Sequence, residues 1–289
     1  MSAVLLKWDQ DGERIYETGI SNGILFPKKA NRAAGSNTAY EAGEAWNGLT
    51  SVDESPSGGE ANDFYADNIK YLSLSSAENY GGTINAYTYP DGFKACNGEV
   101  EASAGVTLGQ QTRKAFGFYY VTKKGNDLQY EDYGEVHYLV YNAKCNPSDK
   151  SHKTISDSPE PEEMSWEFTT TPVKLDVING VQYKPTAVIK IDTTAFTDTI
   201  HGYQKTQDPA IVPGKTYYTL EDTTYTAVTD PDPDDLDDYY EAVTDATYFE
   251  RLKSILYGTA AEGATPAVPA RLPDPEEVLS IMRTGSYSA

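Results

Sequence analysis

Asp230, Asp232, Asp234 and Glu241 fall at positions one, three, five and twelve of a candidate loop, the spacing with which carboxylates and carbonyls wrap a calcium ion. The hard oxygen ligands suit the ion, but the backbone between them does not. Asp235 stands where the sharp turn calls for glycine, and Pro231 and Pro233 fill two intervening positions. A solvated acidic turn is the competing reading of the same residues. A hydrolytic triad would need one of the three histidines, His137, His152 or His201, positioned by a carboxylate beside a nucleophile, and nothing local supports such an arrangement. His137 lies inside the strand-like run EVHYLVY and reads as a hydrogen-bonded sheet residue. Asp157 and the acidic run from Glu160 to Glu163 supply carboxylates, yet a glycosidase pair needs a defined separation across a folded site. Phosphate-cradling GxGxxG and GxxxxGK[ST] loops do not occur. Cys96 and Cys145 are too few for a disulfide framework and lack zinc-ligand spacing, so they are expected as reduced, structural thiols. The expectation is a chain without catalytic residues, cofactor or metal.

Binding residues stand out more clearly than catalytic ones. Trp46, with Asn47 and Leu49 beside it, lies in the glycine-rich GEAWNGLTSVDESPSGGE. An aromatic ring in a mobile loop can anchor in a partner's pocket, or it can fill the core of its own chain. Arg113 and Lys114 open the apolar run AFGFYY in a chain with few cations. They could pair with carboxylates across a subunit boundary, or simply sit at a solvated strand end.

The elements that must carry these residues are mostly strands. Period-two alternation runs through KYLSLS (Tyr71, Leu72, Leu74) and TINAYTY (Ile84, Ala86, Tyr87), predicting strands with one buried face. Further strands are expected at Ala115 to Val121, Glu135 to Asn142, Ser165 to Thr170, Val173 to Val177 and Ala187 to Ile191, with turns at Asn79 to Gly82, Pro90 to Gly92, Gly125 to Asp127 and Asn179 to Gly180. VLLKW and RIYETGI flank Asp9 to Gly12 as a hairpin within an N-terminal arm over residues 1–30. Residues 27–63 lack periodicity and read as a long loop. Helical spacing appears late, in ATYFERLKSILYG, with Asp245 or Thr247 as N-cap and Gly258 as C-cap. A second short helix is expected after Pro273. Between His201 and Ala246, Tyr- and Thr-rich strands flank the acidic TDPDPDDLDD, suggesting a small inserted β unit. A mainly β fold follows, an antiparallel sandwich or barrel with a flanking α-helix, long loops and terminal arms.

Composition limits the partners. With 23 basic and 44 acidic residues the formal charge is −21, which repels phosphate and disfavours ordinary nucleic-acid binding. Tyr outnumbers Phe by 23 to 8, favouring rings that are apolar on the face and polar at the tip. No apolar run approaches the roughly 20 residues that cross a bilayer, and the opening MSAVLLKWDQDGER is too short in apolar residues for a secretory signal. A soluble chain made in the cytosol, with no membrane partner, is expected.

Four ordered stretches, GEAWNGLTSVDESPSGGE, YADNIKYLSLSSAENYGGTINAYTYPDGF, GVTLGQQTRKAFGFYY and TISDSPEPEEMSWEFTTTPV, resemble the major tail protein, or tail tube protein, of bacteriophages with long non-contractile tails. The resemblance extends from about Thr18 to Gly258 and includes KPTAVIKID and the ending LKSILYG followed by LPDPEEV. Residues 202–246 depart from it as an insertion, leaving 1–201 and 247–289 as the tail-tube domain. The resemblance implies a subunit that forms hexameric rings stacked into a tube in the virion tail, assembled in the host cytoplasm. It further implies a tape-measure protein in the lumen, tail terminator and distal tail or baseplate proteins at the ends, and transient passage of double-stranded DNA. An acidic lumen would repel phosphate and keep passage fast. The alternative from another class is a carbohydrate-binding or adhesive β-sandwich module, for which the Tyr-rich insertion would supply the sugar platform.

Overall fold

The computed structural model describes residues 8, 10–30, 39–148, 150–152, 154, 157, 161–178, 180–206, 211–221, 223–228, 231–232, 239–261 and 266–285. The chain divides into two compact units, Met1–Thr194 with Ile255–Glu276, and Ala195–Ser254 with Glu277–Ala289.

The first unit is built on the long strands of its middle. β1 (Tyr16–Pro27), β2 (Glu44–Trp46) and β3 (Leu49–Glu54) precede four strands of a projecting arm, β4 (Ser57–Gly58), β5 (Ala61–Ala66), β6 (Ile69–Ser75) and β7 (Glu78–Asn79). β8 (Gly81–Ala86) leads into a single helical turn, α1 (Phe93–Cys96), and the hairpin β9 (Val100–Ser103) and β10 (Val106–Leu108). Then come β11 (Phe116–Asn126), β12 (Tyr130–Cys145), β13 (Met164–Thr170), the short pair β14 (Val177–Ile178) and β15 (Val181–Gln182), and β16 (Val188–Asp192). Eight strands share one antiparallel sheet ordered β2-β1-β11-β12-β13-β8-β3, with β16 as an additional partner of β12.

One residue shows how this sheet folds over. Asn142 takes φ 50 inside β12, and its backbone N–H donates to Tyr40 Oη at 3.0 Å. N-terminal to it β12 pairs with β16 over Val136–Val140; C-terminal to it the strand pairs with β13 over Ala143–Cys145. The irregularity lets one strand serve two sheet branches and brings them face to face. Between the layers sit Leu25, Trp46, Ile84, Phe93, Phe116, Phe118, Trp166 and Phe168. Burying each such side chain contributes about 1.5–3 kcal/mol.

The other face of β11 and β12 is covered too, which explains why FGFYYV and EVHYLVY are almost continuously apolar rather than alternating. Tyr119, Leu139 and Tyr141 are fully buried there. Tyr119 Oη lies 2.9 Å from Tyr257 Oη, and Tyr141 Oη donates to the Pro273 carbonyl at 3.1 Å. Leu272 lies so close over Gly117 that a Cβ there would sit 2.2 Å from Leu272 Cδ2.

Several expectations are corrected. KYLSLS does form a strand, β6, but every residue of it is exposed, so neither face is buried within this chain. Residues 27–63 contain β2, β3, β4 and the start of β5, although 31–38 lie outside the described residues. These strands are short and glycine-flanked, and with so few apolar positions they leave almost no periodic signal. Val173 to Val177 is not one continuous strand despite its apolar–polar alternation: Val173 makes one isolated bridge to Thr186, and pairing resumes only at Val177, the first residue of β14. Tyr16–Pro27, expected in an N-terminal arm, pairs with β11 and β2 in the main sheet. Of the expected N-terminal hairpin, Val4 to Lys7 and Asp9 lie outside the described residues, as does Asn179 of the turn before Gly180.

The second unit is smaller. After a 3-10 turn at Thr193–Ala195 come β17 (Gly202–Lys205), β18 (Tyr217–Glu221), β19 (Thr224–Val228) and β20 (Tyr239–Val243), then α2 (Asp245–Tyr257) and α3 (Pro275–Thr284); the unit boundaries fall inside both helices. The four strands form an antiparallel sheet ordered β17-β20-β18-β19, the small β unit expected from the sequence. The cap of α2 is shared differently from the expectation. Thr244, just before the helix, donates its N–H to Thr247 Oγ1 at 3.1 Å, one half of a capping box, while Asp245 turns to other partners. Gly258 follows the last helical residue with φ 73, the left-handed geometry of a C-terminal stop.

Candidate interaction surface

The arm between Glu54 and Gly81 carries the most exposed apolar surface. Asp67 and Asn68 both take positive φ, 51 and 64, and close β5 onto β6 by the two-residue turn whose twist matches paired strands. Phe64 faces Leu72 and Asn62 faces Leu74 across the hairpin. The next step carries a bulge, since Tyr65 pairs with Lys70 and skips Tyr71. Alternation therefore places Phe64, Leu72 and Leu74 on one side of the ribbon. The other side carries polar groups beside Tyr65: Asp63 accepts from Ser73 Oγ at 2.6 Å and pairs with Lys70 Nζ at 2.7 Å. Those contacts, Lys70 first, hold the Asp63 carboxyl below the ordinary range.

The hairpin is amphipathic, yet nothing among the described residues covers its apolar side. Phe64 is 50%, Leu72 37% and Leu74 58% exposed, with Tyr65, Ile69 and Tyr71 exposed around them. An isolated two-stranded ribbon is marginal in water, and a contiguous apolar patch on a stable subunit marks a contact surface. Smaller patches repeat the theme: Val100, Val106 and Leu108 on β9 and β10, and Val177 and Val181 on β14 and β15, are exposed.

The candidate anchors fall in different places. Trp46 is 3% exposed and packs inside its own core, 4.6 Å from Phe93, 5.4 Å from Phe118 and 5.8 Å from Trp166, centroid to centroid. Its Nε1–H donates to the Thr88 carbonyl at 2.8 Å. Leu49 packs partly buried against the same core, while Asn47 is exposed at the rim of a cavity of about 410 Å³ that Trp46 also lines. Arg113 Nη1 reaches Asn97 Oδ1 and the Asn146 carbonyl, both at 3.3 Å, and borders a cleft of about 220 Å³. Lys114 pairs with Glu41 at 3.3 Å on the surface.

The candidates for chemistry disperse. Asp230 and Asp234 lie outside the described residues. Asp232 offers its backbone N–H to Tyr239 Oη at 2.7 Å, and Glu241 is occupied by Thr206 Oγ1 and by Lys215 Nζ, the latter at 2.9 Å. Among the described residues no group of three or more His, Cys, Asp or Glu could hold a metal ion. His137 is buried with Nδ1 2.7 Å from Tyr119 Oη and Nε2 3.3 Å from Glu135 Oε2, the hydrogen-bonded sheet position expected of it. His152 stands 3.2 Å from Glu162, and Glu163 accepts from Thr50 Oγ1; Glu160 lies outside the described residues. Cys96 and Cys145 are free and buried. Burial pushes the Cys96 thiol up to about 12 and raises that of Cys145 as well. No described helix is long and apolar enough to cross a membrane.

A model of the family described as "Phage tail tube protein" matches residues 16–212, more than half of the chain. No curated protein matches. Nine chains of solved structures do. One, from the cryo-EM structure of the anti-feeding prophage (AFP) baseplate, six-fold symmetrised, aligns at 8% identity over 66% of this chain and 97% of that one, with a TM-score of 0.29, a likeness too slight to place any element.

Proposed function

The chain belongs to the phage tail tube protein family, and on that premise we propose that it is a non-catalytic subunit that associates with copies of itself into rings, six to a ring, stacked as the tube of a virion tail. The observation that carries this reading is the uncovered Phe64, Leu72 and Leu74 side of the β5–β6 hairpin. A second copy laid over it removes those side chains from water, at about 1.5–3 kcal/mol for each one fully buried. Rotational symmetry then repeats the contact until the ring closes. Asn47, Leu49, Arg113 and Lys114 are proposed as further contact residues; Trp46 acts by holding the β2–β3 corner on which Asn47 stands.

The assembled tube would enclose a tape-measure protein, meet terminator and distal tail or baseplate proteins at its ends, and later pass double-stranded DNA. The charge of −21 supports that last role, because carboxylates facing the lumen repel the phosphate backbone instead of retaining it. Assembly would take place in the host cytoplasm, with residues 202–246 as an insertion in the tube domain. Negative-stain electron microscopy tests the reading: rings or tubes of uniform width support it. Persistent monomers at every concentration and salt, even with a preassembled tail tip as initiator, would sink it.

A further inference from the structure

The small sheet of the second unit has two unlike aromatic faces. Pairing of Tyr217 with Glu241 and of Thr219 with Tyr239 puts Tyr217 and Tyr239 on one face, and both are buried. Their hydroxyls are used internally, accepting from the backbone N–H of Val212 at 3.0 Å and of Asp232 at 2.7 Å. On the opposite face Tyr218 lies directly across from Tyr240, and the alternation of β17 and β19 adds Tyr203 and Tyr225. All four are half-buried.

These outward rings are organised. β17 and β19 are the two edges of the sheet, yet Tyr203 and Tyr225 stack at 3.9 Å with 12° between their planes. Tyr218 meets Tyr203 edge-on at 4.9 Å, and Tyr240 meets Tyr225 edge-on at 5.2 Å. The side chains therefore lean across the sheet as a preformed aromatic layer, over four strands that span roughly 15 Å. Among the described residues, none of these four hydroxyls has a hydrogen-bond partner, in contrast to the inward pair.

We propose that this four-tyrosine face binds a neutral, hexose-based polysaccharide. A hexose ring presents a face of C–H groups that packs on an aromatic ring, and a rim of hydroxyls that exchange hydrogen bonds with tyrosine hydroxyls, which both donate and accept. A purely apolar partner would leave those hydroxyls buried and unpaired, at a cost. A strongly acidic chain disfavours an anionic glycan. Ordering four rings in advance reduces the entropy lost on binding. The inference concerns the second unit alone and stands whether or not the first unit forms tubes.

Affinity electrophoresis of the full chain tests it, in native gels cast separately with dextran, mannan, galactan or a mixed-linkage β-glucan. Retardation in at least one gel is expected, with Tyr203→Ala and Tyr225→Ala each weakening the apparent affinity about tenfold. Tyr203→Phe and Tyr225→Phe, which keep the ring and remove the hydroxyl, should lose only a few-fold, and Phe64→Ser should change nothing. Circular dichroism of each variant separates lost binding from lost folding, and the Tyr→Phe pair keeps the test decisive if an alanine variant unfolds. No retardation in any gel, or full retardation of folded Tyr203→Ala, overturns the proposal. So does self-association of the wild type that Tyr203→Ala abolishes, because the face would then belong to a second copy.

Discussion

Phe64 on β5 stands directly across from Leu72 on β6, and the pair is half open to water although the ladder between the two strands is formed. Nothing in the fold of the subunit depends on that exposed side. Replacing both residues by serine should leave subunit stability within about 0.5 kcal/mol, while raising the concentration needed for assembly by at least tenfold. Sedimentation velocity and thermal melts on the same samples separate the two effects. A double variant that still assembles at the wild-type concentration removes this hairpin from the contact.

The same pair shows where sequence reading succeeds and stops. The alternation of KYLSLS identifies a strand, but whether a face is buried by the same chain or by another copy is a tertiary question that local pattern does not encode. FGFYYV and EVHYLVY are legible because both faces are covered and apolarity is continuous. β2 and β3 are not, because Trp46, Leu49 and Val52 are too sparse among glycines and polar residues to set a period. Trp46 could equally have been an anchor or a core ring, and only the packing of Phe93, Phe118 and Trp166 around it decides. The four outward tyrosines were visible as composition, whereas their sorting from Tyr217 and Tyr239 needs the strand register.

Trp46→Ala should destabilise the first unit by about 3–5 kcal/mol, as expected for loss of a large aromatic from a packed core. Trp46→Phe should cost less, about 1–3 kcal/mol, since it keeps much of the ring contact but strips the Thr88 carbonyl of its donor. Urea denaturation measures both. A variant with unchanged midpoint but impaired assembly would move Trp46 from the core to a subunit contact.

Asp245 gives the second unit a dependence on pH. Its carboxylate accepts from the Thr197 N–H at 2.9 Å and Oγ1 at 3.0 Å and meets His201 Nε2 at 2.7 Å. The Thr197 backbone bond, then His201, hold its pKa below the ordinary value. A depressed pKa means that the charged form stabilises the fold. The contribution is complete above the unfolded-state value of about 3.9 and disappears as pH falls through the lower folded value. Asp245→Asn should therefore cost about 1 kcal/mol at pH 7, kept small by solvent exposure. The gap between variant and wild type should narrow as pH falls below about 3.9. A gap of constant size from neutral to acid would show that the charge plays no part.

Buried thiols predict silence toward a thiol reagent. Cys96 and Cys145 are both shielded, and the Cys96 thiol is pushed up to about 12 by burial. Since only the thiolate reacts readily, the folded protein at pH 8 should release almost no chromophore from an aromatic disulfide reagent, and both thiols should react on unfolding. Rapid reaction of one thiol in the native protein would mean that α1 or the end of β12 opens.

Salt separates two ways of holding subunits together. Each chain brings a formal −21 to the assembly, and repulsion between such subunits is screened as the Debye length falls from about 10 Å at 0.1 M to about 3 Å at 1 M. Association led by the Phe64, Leu72 and Leu74 surface gains from this, because burial of apolar side chains does not weaken with ionic strength. Association led by cations such as Arg113 and Lys114 reaching carboxylates of a neighbour loses by it, because those attractions are screened as well. The assembled fraction in sedimentation should therefore rise between about 0.1 and 1 M sodium chloride. Assemblies that dissolve over that range would shift the leading contact from the hairpin to the cations.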